Sequence, residues 1–228
     1  MYIIHIETST KVCSVAISRD DQVIGWGDKA DQMNHAAELA PMIANLLKKC
    51  GLSSRDLNAV SISSGPGSYT GLRVGSSTAK SIAYSLSIPL ISVPTLESLS
   101  IAAIEKYPLA SHMLPMIDAR RDEVYSSLFD RNGSIIWPDY AVLVNRQFIE
   151  EKLSGLKQVI ICGDGAFKLM PFSPDFPNLI IDDTILCTAR NLVKPVWTHW
   201  LNQETENPLH FIPRYLKPPN ITQPRKTI

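Results

Sequence analysis

Residues 3 to 26, Ile3-Ile4-His5-Ile6-Glu7-Thr8-Ser9-Thr10-Lys11-Val12-Cys13-Ser14-Val15-Ala16-Ile17-Ser18-Arg19-Asp20-Asp21-Gln22-Val23-Ile24-Gly25-Trp26, have a second copy 111 positions later, from Leu114 to Trp137, that aligns without a gap. In each copy an apolar strand ends on an acid, Glu7 in one and Asp118 in the other. Ile17 then falls on Leu128, Ile24 on Ile135 and Trp26 on Trp137. A polar turn separates the second and third strands, Arg19 to Gln22 in the first copy and Asp130 to Gly133 in the second, where Asn132-Gly133 favours a tight hairpin. Both copies continue through a helical pattern to a further strand and a glycine bend. The chain therefore reads as α/β, two lobes each with the order strand, strand, strand, helix, strand, helix.

In the first lobe Ala36, Leu39, Ala40, Ile43, Leu46, Leu47 and Cys50 keep to one helical face, and Gly51 follows as a C-terminal cap after Lys48 and Lys49. Asn34 is placed to cap its start. Pro41 requires either that the regular helix begin near Ala40 or that it bend there. In the second lobe Phe148, Ile149 and Leu153 make a shorter helix, and Gln158 to Gly165 parallels Val60 to Gly67. The expected division is a first lobe over 1–106, a smaller second lobe over 107–207, and a proline-rich extended tail or strap over 208–228.

The bend of the first lobe, Ser64-Gly65-Pro66-Gly67-Ser68-Tyr69-Thr70-Gly71-Leu72-Arg73-Val74-Gly75, joins a strand to a long helix. Gly65 and Gly67 permit close backbone approach, and Ser68 or Thr70 can cap the first free N–H groups. It is neither a P-loop, lacking Gly-Lys-Ser/Thr, nor a dinucleotide fingerprint, since Thr70 stands where the third glycine belongs. A structural turn and a loop that holds an anion or another backbone are both compatible with it.

The 22 basic and 22 acidic residues cancel, so net charge supplies no attraction to nucleic acid or membrane. No signal-peptide pattern precedes Tyr2, and the longest charge-free stretch, Ser81 to Leu96, is broken by Pro89 and Pro94. Cys13, Cys50, Cys162 and Cys187 are scattered, which suits reduced apolar fillers in a cytoplasmic protein.

The bend GPGSYTGLRVG resembles the signature of the TsaB (YeaZ) family. Three further segments agree with it: Ile6 to Thr10 with Cys13 to Ala16, Pro94 to Leu99, and Ile117 to Tyr125. The duplicated plan is similar to the actin-like and Hsp70-like superfamily, with ribonuclease H-like lobes, mixed sheets flanked by helices, and a cleft between them. The resemblance implies a non-catalytic subunit with no catalytic residues of its own, serving N6-threonylcarbamoylation of adenosine 37 in tRNAs reading codons that begin with A. It implies a TsaD-type catalytic paralogue as partner, with a TsaE-type ATPase, tRNA reached indirectly, homodimerisation when alone, and no membrane. In TsaD a His-x-x-x-His pair on a helix binds the metal; the corresponding segment here, Pro94 to Leu99, has no histidine. An autonomous actin-fold kinase or ATPase is the alternative, and a peptidase a more distant one.

Glu7 and Asp118, at equivalent strand ends, could face a Mg²⁺-bound phosphate, or could point to solvent or cap the following turn. Relatives usually carry aspartate at the Glu7 position. Gly163-Asp164-Gly165 could approach a nucleotide, and Arg120 with Arg121 could bind a phosphate or sit in a solvated turn. In the helix after the bend, Gly71, Gly75, Ala79 and Ala83 recur every four residues, a groove for either the chain's own sheet or a second helix. The resemblance favours the second helix, with pairing through His35 to Cys50 and Thr70 to Leu86. The expected interface is then His35, Leu39, Ile43, Thr70, Gly71, Gly75, Ala79 and Ala83, and no metal or cofactor is assigned beyond ATP/Mg²⁺ held weakly or through the complex.

Overall fold

The computed structural model describes residues 1–30 and 34–218. The first lobe runs β1 (Tyr2–Glu7), β2 (Cys13–Arg19), β3 (Gln22–Lys29), α1 (His35–Lys49), β4 (Leu57–Ser63), α2 (Tyr69–Leu86), β5 (Leu90–Val93) and α3 (Thr95–Lys106). The second runs β6 (His112–Asp118), β7 (Glu123–Asp130), β8 (Ile135–Leu143), α4 (Arg146–Lys152), β9 (Val159–Cys162), β10 (Leu179–Asp182) and α5 (Val193–Leu201). The sheet orders are β3-β2-β1-β4-β5 and β8-β7-β6-β9-β10. In both, the first three strands are antiparallel and the last two join in parallel. The doubled sequence is thus a doubled sheet.

The repeat does carry a one-residue gap. Ile6 pairs with Val15, yet its counterpart Ile117 pairs with Tyr125 and not Ser126, so the second hairpin connection is one residue shorter. That tight connection places Arg120 at φ +69° and Arg121 at φ +51°. The second departure follows β9, where the long helix of the first lobe is replaced by short 3₁₀ turns at Ala166–Leu169 and Ser173–Asp175.

The central strand β1 is covered on both faces, which is why its apolar run is continuous. Ile4 and Ile6 pack with Leu39, Ile43 and Ala79 from α1 and α2, whereas Ile3 packs with Leu192 and Val196 at the start of α5. His5 is fully buried between the Ser61 and Ser18 hydroxyls, at 2.7 and 2.9 Å. Burial holds its pKa down at about 3, so it is neutral at pH 7.

The strands divide between the halves of the chain, but the closing helices cross over. Leu96, Leu99 and Ala103 of α3 pack with Met113, Ile117, Phe129 and Ile160 of the second lobe, while Val196 of α5 packs on Ile91 and Val93 of the first. A cut between Lys106 and Tyr107 would separate α3 from the sheet it covers only if the lobes parted, and α5 from the other.

Helix α1 runs unbroken through Pro41, and Gly51 ends it at φ +68°. Asn34 occupies the N-cap position without a side-chain cap; Ser68 caps α2 by accepting from Gly71 N at 3.3 Å. No helix among the described residues is long and apolar enough to cross a membrane. Of the tail over 208–228, residues 219–228 lie outside the described residues.

Candidate functional site: the interlobe cleft and the outer face of α1 and α2

The glycine bend holds this chain's own backbone. Ser68 N donates to Ser9 O at 2.6 Å, and Thr8 Oγ1 donates to Gly71 O at 2.8 Å. A Cβ on Gly67 or Gly71 would lie within 3 Å of the Ser9 or Thr8 main-chain oxygen, and one on Gly75 within 3 Å of Thr8 Oγ1. The glycines therefore seat α2 directly on the β1–β2 connection. That connection and the α2 N-terminus form one wall of a cavity of 840 Å³ between the lobes; Asp118, Arg120, Arg121 and Asp164 line the other.

Asp118 and Asp164 meet at the cleft, and Glu7 stands apart from them. Glu7 is fully buried outside the cavity lining, its Oε1 accepting from Ser9 N at 2.6 Å, and burial raises its pKa against that hydrogen bond. Asp118 lines the cavity, but Lys168 Nζ lies 2.5 Å from its Oδ1, which also accepts from Arg120 N at 2.9 Å. Lys168 is mostly covered, with 10% of its side chain exposed, and donates again to Glu123 O at 2.7 Å. Asp164 Oδ1 accepts from Asp118 N at 3.0 Å, and burial raises its pKa.

Of the two readings of Glu7 and Asp118, the cap on the following turn is the one the hydrogen bonds display, Ser9 N donating to Glu7 and Arg120 N to Asp118; Glu7 is sealed in the core and Asp118 is ion-paired with Lys168. Gly163 and Gly165 have a reason to be glycine inside the fold, because a Cβ on either would strike the β6 backbone, Met116 O or Ile117 C. They bring the end of β9 against β6. No three His, Cys, Asp or Glu side chains among the described residues are grouped to hold a metal.

The expected interface also divides. Leu39, Ile43, Ala79 and Ala83 are core residues, and Gly71 and Gly75 are buried on the sheet, so the four-residue stripe serves the chain's own packing. His35, Thr70 and Gly71 reach the cleft, His35 Nε2 donating to Thr10 O at 3.0 Å. The faces turned outward are Ala36, Ala40, Pro41 and Ala44 of α1 and Arg73, Ser77 and Ser81 of α2, all exposed. These positions are the complement of the buried periodicity, which is the signal that marks them in the sequence. Lys168 gave no signal, because its partner lies fifty residues away in sequence.

Two duplicated lobes with equal strand order, closed over a cleft, make this an actin-like protein. The family model described as TsaD, tRNA N6-adenosine threonylcarbamoyltransferase, matches residues 29–163. The tRNA threonylcarbamoyladenosine biosynthesis protein TsaB of Buchnera aphidicola from Acyrthosiphon pisum is 34% identical over 158 residues, 68% of this chain and 71% of that one. The TsaB of Escherichia coli is 28% identical over 221 residues, 95% of each chain. The solved structure of YeaZ from Pseudomonas aeruginosa superposes with a TM-score of 0.77 at 24% identity, covering 94% of this chain and 99% of that one. The chain belongs to the TsaB (YeaZ) family.

Proposed function

We propose that this chain takes part in tRNA threonylcarbamoyladenosine biosynthesis as a non-catalytic subunit, docking on a TsaD-type transferase and favouring its competent state. The observation that carries the reading is the commitment of the cleft acids: Glu7 is buried away from the cavity and Asp118 is held by Lys168. Helix α3, where the paralogue's metal pair would correspond, is given over to packing by Leu96, Leu99 and Ala103. Docking uses the exposed small-residue faces of α1 and α2, where short side chains let a second helix approach closely. The activating effect is a population shift, which requires that docking contacts differ between the partner's active and inactive forms. The tRNA and a TsaE-type ATPase are reached through that partner, and the same face serves a homodimer when the partner is absent.

The test removes the cleft pair without touching the docking face. Asp118→Asn combined with Lys168→Met avoids leaving a mostly covered lysine unpaired. Reconstituted with the transferase, threonylcarbamoyl-adenylate and tRNA, this variant is expected to support transfer at a rate within about twofold of the unaltered chain. A fall of roughly 100-fold or more, the scale of a lost acid–base group, with docking intact, would assign chemistry to this cleft and end the reading.

A further inference from the structure

We propose that the segment from Asn207 to Lys217 is an ion-pair latch, anchored on the first lobe and closed on the second, that holds the two lobes together over the cleft. Its anchor is made of main chain and core. Phe211 is buried among Leu39, Ile62 and Ala83, and its carbonyl accepts from Lys80 Nζ at 3.0 Å. Three residues on, Arg214 N donates to Ser64 O at 2.7 Å. At this point Gly65 stands at φ +103°, and a Cβ there would lie 2.5 Å from Arg214 O. The first glycine of the bend is thus the seat of the strap. Tyr215 then packs on Tyr69 with ring centroids 4.6 Å apart.

The closure on the second lobe is of a different kind. Arg214 Nη2 pairs with Asp139 Oδ1 of β8 at 2.6 Å, and Lys217 pairs with Glu123 of β7. Both cations are partly solvent-exposed, Arg214 by 54% and Lys217 by 33%, and Glu123 is equally open, whereas Asp139 keeps only 10% of its side chain exposed. The exposed Lys217–Glu123 pair is weak and screened by salt, and the Arg214–Asp139 pair is open to salt on its guanidinium side, whereas the anchor's buried ring and main-chain hydrogen bond are not. Between anchor and closure, Tyr215 and Lys217 line the interlobe cavity. The strap therefore opens by releasing the second lobe while staying fixed to the first, and ionic strength controls the step.

The experiment places spin labels on the full chain at exposed positions of the two lobes, Arg55→Cys and Arg131→Cys, with Cys50→Ser to leave the buried thiols unlabelled. Interlobe distances are measured by electron–electron resonance. The chain with its native strap is expected to give one narrow distribution at low salt, which broadens and lengthens at about 1 M salt, where the Debye length is about 3 Å. Glu123→Gln with Asp139→Asn is expected to give the long, broad distribution already at low salt, with a salt response smaller than that of the unaltered chain, the exposed Lys194–Glu105 pair between α5 and α3 being the part that remains. The exchange of charges, Arg214→Asp with Asp139→Arg, is expected to restore the narrow one while Lys217 and Glu123 remain. An unchanged narrow distribution in the double neutral variant, or a salt response in it as large as that of the unaltered chain, would overturn the latch.

Discussion

Gly71→Ala is expected to destabilise the protein by about 3 kcal/mol, at the upper end of ordinary overpacking costs. The new methyl would lie within 3 Å of the Thr8 carbonyl oxygen, which is backbone and leaves no side chain free to swing aside. The same oxygen belongs to the β1–β2 connection that receives Ser68 N, so relief by moving α2 would break that bond as well. A helix gains about 1 kcal/mol from alanine in place of glycine, and the clash must exceed this before any loss is seen. For a chain of this length about 3 kcal/mol lowers the melting temperature by roughly 6–12 °C. Gly155→Ala is the control, because nothing lies within 4 Å of a Cβ there. Calorimetric melting of the three proteins decides the matter, and a Gly71→Ala midpoint equal to the control would show that α2 is not seated as described.

The second large effect concerns docking. Ala40→Trp with Ser81→Trp adds two bulky rings at exposed positions of α1 and α2, where the folded protein loses only the exposed hydrogen bond from Ser81 Oγ to Ser77 O. At a helix–helix interface built on small side chains the same rings would hold the partner away. Affinity for a TsaD-type transferase, measured by titration calorimetry, is expected to fall about 100-fold or more, equivalent to about 2.7 kcal/mol, with the melting temperature unchanged. Undiminished binding would move the interface elsewhere on the molecule. Substitution at Gly75 or Ala79 would not make this distinction, since both are buried on the sheet and a loss of binding there would follow from loss of fold.

Much of the architecture was legible because it rests on local periodicity repeated at a fixed spacing. The alternating strands, the Asn132-Gly133 hairpin and the apolar face of α1 each declare themselves within a dozen residues. What the repeat could not disclose was its own one-residue slip, because a gapless alignment scores side-chain type and not strand pairing. The crossing of α3 and α5 between lobes was equally silent: a buried helix face says that it is covered, not by which sheet. At the cleft, Glu7 and Asp118 looked equivalent in sequence, yet Glu7 is enclosed by Ser9 and the core while Asp118 meets Lys168. That difference arises from long-range packing. The stripe of Gly71, Gly75, Ala79 and Ala83 correctly marked a close approach, and the object approached is the chain's own Thr8 and Ile62.

The central claim is that the subunit supplies a docking surface and not a reacting group. Its most direct test is the initial rate at which a TsaD-type transferase modifies tRNA from threonylcarbamoyl-adenylate, measured with this chain, without it, and with the chain alone. The account predicts turnover only when both proteins are present. Equal rates with and without this chain, or product formed by this chain in the absence of the transferase, would contradict it.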